Sequence, residues 1–111
     1  MIKLELISPI VPEVEISGEK FTVLLGEIDI QKTLEAVQES AKALESNSEP
    51  EKVLEYLHGI NNAIDAIIGE GAFAKLAAGR SINAVTAMRW LAAVAEAALE
   101  ANVEAVKQIN D

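Results

Sequence analysis

The chain has 111 residues, half of them hydrophobic, no cysteine and a formal net charge of −9. The length predicts a single domain, residues 1–111, and the lack of cysteine excludes disulfides and thiolate metal sites. Nucleic-acid binding depends on neutralising phosphates with lysine and arginine, so the acidic balance disfavours a DNA or RNA partner and also an anionic membrane surface.

The first 28 residues predict β-structure. Three segments have strand character: 2–7, 13–17 and 20–25. The first two alternate apolar and charged side chains, which is the period of a strand with one buried face. Pro9 and Pro12 interrupt pairing, and Ser17-Gly18-Glu19 has turn chemistry. We therefore expect a hairpin, preceded by one further short strand.

From residue 29 the hydrophobic period becomes helical. The predicted helices follow Asp29 to about residue 46, then cover residues 50–68, 72–78 and 82–108. Asp29 is a favoured N-cap, Ser48 begins a capping box, and Pro50 suits a first helical turn. The predicted fold is α+β, with a β-strand segment over 1–28 and a mainly α-helical bundle over 29–111 that ends in a long helix.

The segment from residue 67 to residue 81, IIGEGAFAKLAAGRS, has the composition of a phosphate-binding loop but not its pattern. Such a loop needs glycine where Ala74 stands, lysine where Arg80 stands, and a strand before it. Gly69, Gly71 and Gly79 instead suit helix termination, and Ser81 suits the cap of the last helix. No nucleotide or other cofactor is expected.

The final predicted helix is apolar over much of its circumference. One apolar line comprises Val85, Met88, Ala92, Ala95, Leu99, Val103 and Val106. A second comprises Ala84, Ala87, Leu91, Val94, Ala98, Ala101 and Ala105. A surface helix of a globular protein needs only one such line. We therefore expect this helix to contact another polypeptide.

Few residues suggest a metal site or catalysis. Glu55 and His58 have the spacing found in di-iron helix bundles, but one pair needs a symmetric dimer to complete the site, and a helix-surface histidine is the simpler interpretation. Glu96, Glu100 and Glu104 share one helix face. A solvated face explains them, with a divalent-ion or basic-partner patch as the alternative. Nothing in the sequence pairs these carboxylates with a nucleophile, an oxyanion donor or a cleft, so no enzyme is expected. A single Glu-x-x-His pair does not complete a metal site, so no bound metal is expected.

The only locally basic part of the chain supplies the candidate partner-binding residues: Lys75, Arg80, Arg89 and Trp90. Tryptophan and arginine are enriched where protein partners make their strongest contacts. The alternative is that Trp90 covers the rim of the core and that the three cations are simply solvated. Phe73 is expected to lie in the core.

The element I-x-x-I-I-G-E-G-A-x-x-K-L, residues 64–76, stands between acidic helices and a long final helix. Together with the strand-forming N-terminus, this arrangement resembles the small tail assembly chaperones of long-tailed bacteriophages and prophages, over roughly residues 20–100. The resemblance implies a non-enzymatic protein that binds the tape-measure protein, engages the tail-tube protein and is absent from the finished virion. It also implies that a frameshifted longer form can accompany the short one.

A stand-alone acidic homo-oligomeric scaffold or regulatory interaction module is the alternative function. Both interpretations predict protein partners and self-association. No segment approaches the roughly 18 uninterrupted apolar residues of a membrane span. We therefore expect a soluble cytoplasmic protein that is not secreted.

Overall fold

The structure, a computed structural model, describes residues 1–5 and 11–110, which form an α+β fold. Over these residues an antiparallel two-stranded hairpin precedes four helices. The elements are β1 (Glu13–Ile16), β2 (Glu19–Thr22), α1 (Glu27–Ser46), α2 (Pro50–Ile68), α3 (Ala72–Ala77) and α4 (Ala84–Asn110). The predicted fold class, with its hairpin, mainly helical remainder and long final helix, is confirmed.

The hairpin follows from the alternation of its two strands. Val14 lies opposite Phe21 in the register, and both side chains are buried on the same face. Ser17 and Gly18 connect the strands with φ values of 53° and 84°. Two residues with positive φ are typical of the tight turns that match the twist of paired strands. Beyond the strands, the backbone N–H of Val23 donates to the carbonyl of Pro12 at 2.8 Å.

The additional strand predicted over residues 2–7 is wrong where the structure describes it. Residues 2–5 have no regular secondary structure, and the Ile2 and Leu4 side chains are exposed. Residues 6 and 7, and also Pro9, lie outside the described residues. Alternating apolar and charged residues give a strand one face that a sheet can bury. A strand forms, however, only where a neighbouring strand pairs with it.

Two predicted helix starts differ from the structure, that of α1 by three residues and that of α4 by two. Helix α1 begins at Glu27, so Asp29 is not the N-cap but lies in the first turn, where its charge complements the helix dipole. Helix α4 begins at Ala84, and the cap is Asn83 rather than Ser81. The Asn83 Oδ1 atom accepts a hydrogen bond from the Thr86 N–H at 2.8 Å. Several polar residues near each start can cap a helix, so sequence alone does not choose among them.

The start of α2 agrees with the prediction in position but not in mechanism. Pro50 is the first helical residue, as expected. The predicted capping box is wrong, because the cap residue is Glu49 and makes no side-chain cap hydrogen bond. Instead the Glu49 N–H donates to the Oδ1 atom of Asn47 at 3.2 Å.

The connections around α3 use backbone with positive φ at the three predicted glycines, but the left-handed helical conformation that caps α3 is found at Gly71 and Ala78 and not at Gly69. Gly69 ends α2 with φ 114° and ψ 149°, a region that is essentially restricted to glycine. Gly71 precedes α3 with φ 84°. The left-handed turn after α3 begins at Ala78, with φ 51°, one residue earlier than the predicted terminator Gly79.

Helix α2 packs against both α1 and α4 and supplies the centre of the core. Ile60, Ile64 and Ile67 are fully buried in it. The buried residues of α4 are Ala87, Leu91, Val94, Ala95 and Ala98. Alanine at three of these positions lets the helix backbones approach closely. The hairpin covers the core through Val14 and Phe21.

Candidate functional site

The two predicted apolar lines of α4 have different environments. Four residues of the second line, Ala87, Leu91, Val94 and Ala98, are buried. The first line is only partly covered: Val85 is 65%, Val103 49% and Val106 50% exposed, whereas Met88 and Leu99 are half-buried and Ala95 is buried. We call the exposed side of α4, which runs from Val85 to Lys107, its outer face. The helix therefore carries more apolar surface than the described fold covers.

A second apolar surface is a pocket of about 420 Å³ between the hairpin, α3 and α4. We call it the Trp90 pocket. Its lining residues are Glu15, Ile16, Ser17, Leu76, Arg80, Trp90, Ala93, Val94 and Ala97. The lining is mainly apolar, with one carboxylate and one guanidinium of opposite charge. Such a composition suits a bound segment that inserts an apolar side chain into the pocket and makes polar contacts with its neighbouring groups.

Arg80 is held beside Trp90 by the end of α3. Its Nε–H donates to the Ala77 carbonyl at 2.9 Å, and its Nη2 donates to the Leu76 carbonyl at 3.0 Å. These bonds satisfy carbonyls that a helix C-terminus leaves without partners. The Arg80 Cζ atom lies 6.0 Å from the centroid of the Trp90 ring, within the range of a cation–π contact. Arg80 therefore stabilises α3 as well as shaping the pocket.

Phe73 supports Trp90 from the other end of α3. The two ring centroids are 5.7 Å apart, with a tilt of 56° between the ring planes. Phe73 is half-buried and packs against the core, so its predicted core position is correct only in part. Trp90 is also half-buried, at the edge of the core.

Sequence reasoning missed Asp65, which fixes the position of α3. Its Oδ1 accepts a hydrogen bond from the Phe73 N–H at 2.9 Å, and its Oδ2 accepts one from the Gly71 N–H at 3.1 Å. Asp65 is in the last turn of α2, so a residue of one helix caps the next. The only signal in the sequence is an aspartate shortly before the two glycines, which does not identify the N–H groups it binds.

The four predicted partner-binding residues do not form one site. Arg80 and Trp90 come together, whereas Lys75 and Arg89 do not line the Trp90 pocket. Lys75 is exposed and lines a shallow pocket with Lys20 and residues at the end of α2. Arg89 is exposed and lies on the outer face of α4.

The candidate metal-binding side chains are on the surface. His58 is exposed, and Glu55 pairs with Lys52 at 3.5 Å. The three glutamates of α4 line an exposed groove with Leu99 and Val103. Across residues 1–5 and 11–110, no three histidine, aspartate or glutamate side chains are grouped as metal ligands would be.

The position of Tyr56 affects the ionisation of its phenol. The residue is buried in α2, only 8% exposed, close to the first turns of α4. Burial disfavours the charged phenolate and therefore raises the pKa of Tyr56 above its ordinary value of 10.0.

Comparison with known proteins finds no relative of this chain. No family model matches the chain, and neither a curated protein nor a solved structure matches it. None of the described helices has the length and apolar character needed to cross a membrane.

Proposed function

We propose that this chain is a small tail assembly chaperone of a long-tailed phage or prophage. It is non-enzymatic, acts in the bacterial cytoplasm, and binds the tape-measure and tail-tube proteins while the tail is assembled. The proposal is supported by the resemblance over roughly residues 20–100, which includes the element at residues 64–76, and by one structural observation, the Trp90 pocket.

The pocket has the chemistry of a protein-binding site. Trp90 offers a large amphipathic ring, and Arg80 is already ordered by its hydrogen bonds to α3, so binding costs little side-chain entropy. Small side chains at Ala93 and Ala97 leave room for an apolar anchor of a client. A helical client with such an anchor fits the general mode in which an amphipathic helix lies in an apolar groove. The net charge of −9 keeps a chaperone–client complex soluble.

Co-expression with the tape-measure protein of the same phage tests the proposal. We expect the two proteins to co-purify, and we expect a tape-measure gene directly downstream of this one. Trp90 is the only tryptophan of this chain, so its fluorescence reports on the pocket and should change when a tryptophan-free client segment is added.

Ala93→Glu introduces a charge into the pocket at an exposed helical position and should weaken client binding at least tenfold. Ala36→Glu makes the same change on the exposed side of α1 and is the matched control. Absence of tape-measure binding would contradict the proposal, and so would an equal loss of binding in both variants. Circular dichroism checks that both remain folded.

The second candidate, an acidic homo-oligomeric scaffold, is favoured by the exposed outer face of α4. A chain that self-associates but never retains the tape-measure protein would support this alternative. The gene neighbourhood separates the two functions independently.

A further inference from the structure

The outer face of α4 carries two shallow grooves with different charges. The first has a volume of about 400 Å³ and is lined by Tyr56, Ala84, Val85, Met88, Arg89 and Ala92. The second has a volume of about 570 Å³ and is lined by Glu96, Leu99, Glu100, Val103, Glu104 and Lys107. The only charge in the first groove is the Arg89 guanidinium, whereas the second contains three carboxylates and one ammonium group. One helix therefore presents opposite charges toward its two ends.

The apolar residues of this face have a symmetric spacing. Val85, Met88 and Ala92 are separated by three and then four residues. Leu99, Val103 and Val106 are separated by four and then three residues. Reversing the direction of the helix superposes one set on the other. Two copies of α4 that lie antiparallel can therefore match these apolar side chains on both sides of the middle of the helix, where Ala95 is buried in the core and Glu96 is exposed.

We propose that the outer face of α4 binds the same face of a second copy of this chain, with the two helices antiparallel. The first groove of each copy then meets the second groove of the other. Val85 lies opposite Val106, Met88 opposite Val103, and Ala92 opposite Leu99.

In this register Arg89 is level with a point midway between Glu100 and Glu104 of the second copy. One side of the apolar line carries Arg89, Glu100 and Glu104. In a two-fold antiparallel pair this side of one helix lies next to the same side of the other helix. The pair is therefore complementary in charge as well as in apolar spacing. This self-complementarity favours a second copy over an unrelated partner.

The size of the face predicts how strong the pairing is. A helix of 27 residues is about 40 Å long, so one face of it buries less than the ~800 Å² per partner of a standard interface. Glu96 also comes close to Glu96 of the second copy, and like charges disfavour that contact. We expect association that is concentration-dependent rather than permanent.

Sedimentation of the full chain over a concentration range measures the association. Arg89→Glu should weaken it at least tenfold, and combining it with Glu100→Arg and Glu104→Arg should restore it. Lys42→Glu, an exposed change of the same charge on α1, is the control and should have little effect. Glu96→Gln should strengthen association, because it removes the repulsion near the two-fold axis.

Cysteine cross-linking tests the orientation, because the natural chain contains no cysteine. A mixture of Val85→Cys and Val106→Cys chains should form disulfides between the two variants. Val85→Cys alone should not, since antiparallel pairing separates the two copies of that residue by roughly 30 Å along the helix axis.

The inference would be overturned by a monomer at every concentration, by equal effects of Arg89→Glu and Lys42→Glu, or by cross-linking of Val85→Cys to itself. Failure of the charge-swapped variant to associate would also reject it. Client binding is measured separately, at the Trp90 pocket. The results on self-association therefore neither support nor contradict the proposed chaperone function.

Discussion

The Oδ1 atom of Asp65 accepts a hydrogen bond from the backbone N–H of Phe73 at 2.9 Å, which joins the end of α2 to the start of α3. A helix of six residues, the length of α3, is not stable in isolation. The Asp65 carboxylate orders it, and α3 in turn places Phe73 against Trp90 and Arg80 over the same ring. The geometry of the Trp90 pocket therefore depends on a cap supplied by another helix.

Removing this cap should destabilise the fold. We expect Asp65→Ala to lower the free energy of unfolding by about 1–2 kcal/mol, because it leaves the Phe73 and Gly71 N–H groups without their acceptor. Urea unfolding followed by circular dichroism measures the change. Glu70→Ala removes an exposed carboxylate from the same connection and should stay within about 0.5 kcal/mol of the natural chain. Equal values for the two variants would show that Asp65 has no capping role.

Replacing two of the glycines by alanine should change the stability of the fold in opposite directions. Gly69 has φ 114° and ψ 149°, so Gly69→Ala should cost about 1–3 kcal/mol from backbone strain. Gly59 is inside α2, with open space where a Cβ would be, so Gly59→Ala should stabilise by about 0.5–1 kcal/mol. Thermal unfolding of the two variants checks both signs. A stabilising Gly69→Ala would contradict the described end of α2.

Arg80 and Arg89 are both exposed, but only Arg80 has ordered contacts with α3 and Trp90. We expect Arg80→Ala to cost about 1 kcal/mol and to change the Trp90 fluorescence, because it removes the carbonyl hydrogen bonds and the cation–π contact. Arg89→Ala, measured at low concentration, should change neither quantity appreciably.

A lysine variant separates the charge of Arg80 from its shape. Arg80→Lys keeps the charge but lacks the planar group that lies over the ring and donates from two nitrogens. It should therefore behave more like Arg80→Ala than like the natural chain. Full retention of stability and fluorescence in this variant would contradict a role for the guanidinium geometry.

Tyr56 should make the fold less stable in alkali. Its folded-state pKa is raised by burial, so above pH 10.0 the unfolded chain loses a proton that the folded chain retains. Stability therefore falls as pH rises from about 10 toward the folded-state pKa. Because Tyr56 is the only tyrosine, tyrosinate absorbance measures its titration directly.

The absorbance midpoint should be higher in the native chain than in urea. Tyr56→Phe should remove this contribution to the alkaline loss of stability, and it serves as the control for every other effect of high pH. A native midpoint at or below that of the unfolded chain would contradict the effect of burial.

Local patterns predicted the elements but not all of their ends. Val14 and Phe21 share a buried face because alternation follows directly from strand geometry. The helix starts were less certain, since Asp29 and Ser81 are good caps and yet Gly26 and Asn83 precede the helices. Residues 2–5 also alternate apolar and charged side chains, but they form no strand where the structure describes them, because alternation alone does not supply a neighbouring strand.

The sequence by itself determined the α+β class, the hairpin, the order of the helices and the two apolar lines of α4, because side-chain periodicity is fixed by local backbone geometry. Only the tertiary structure decided which line is buried, that Asp65 caps α3, and that Arg80 joins Trp90 while Lys75 and Arg89 lie elsewhere. Those outcomes depend on contacts between residues of different elements. They follow from the way α3 and α4 both pack on α2 and β1 packs on α4, which no local spacing encodes.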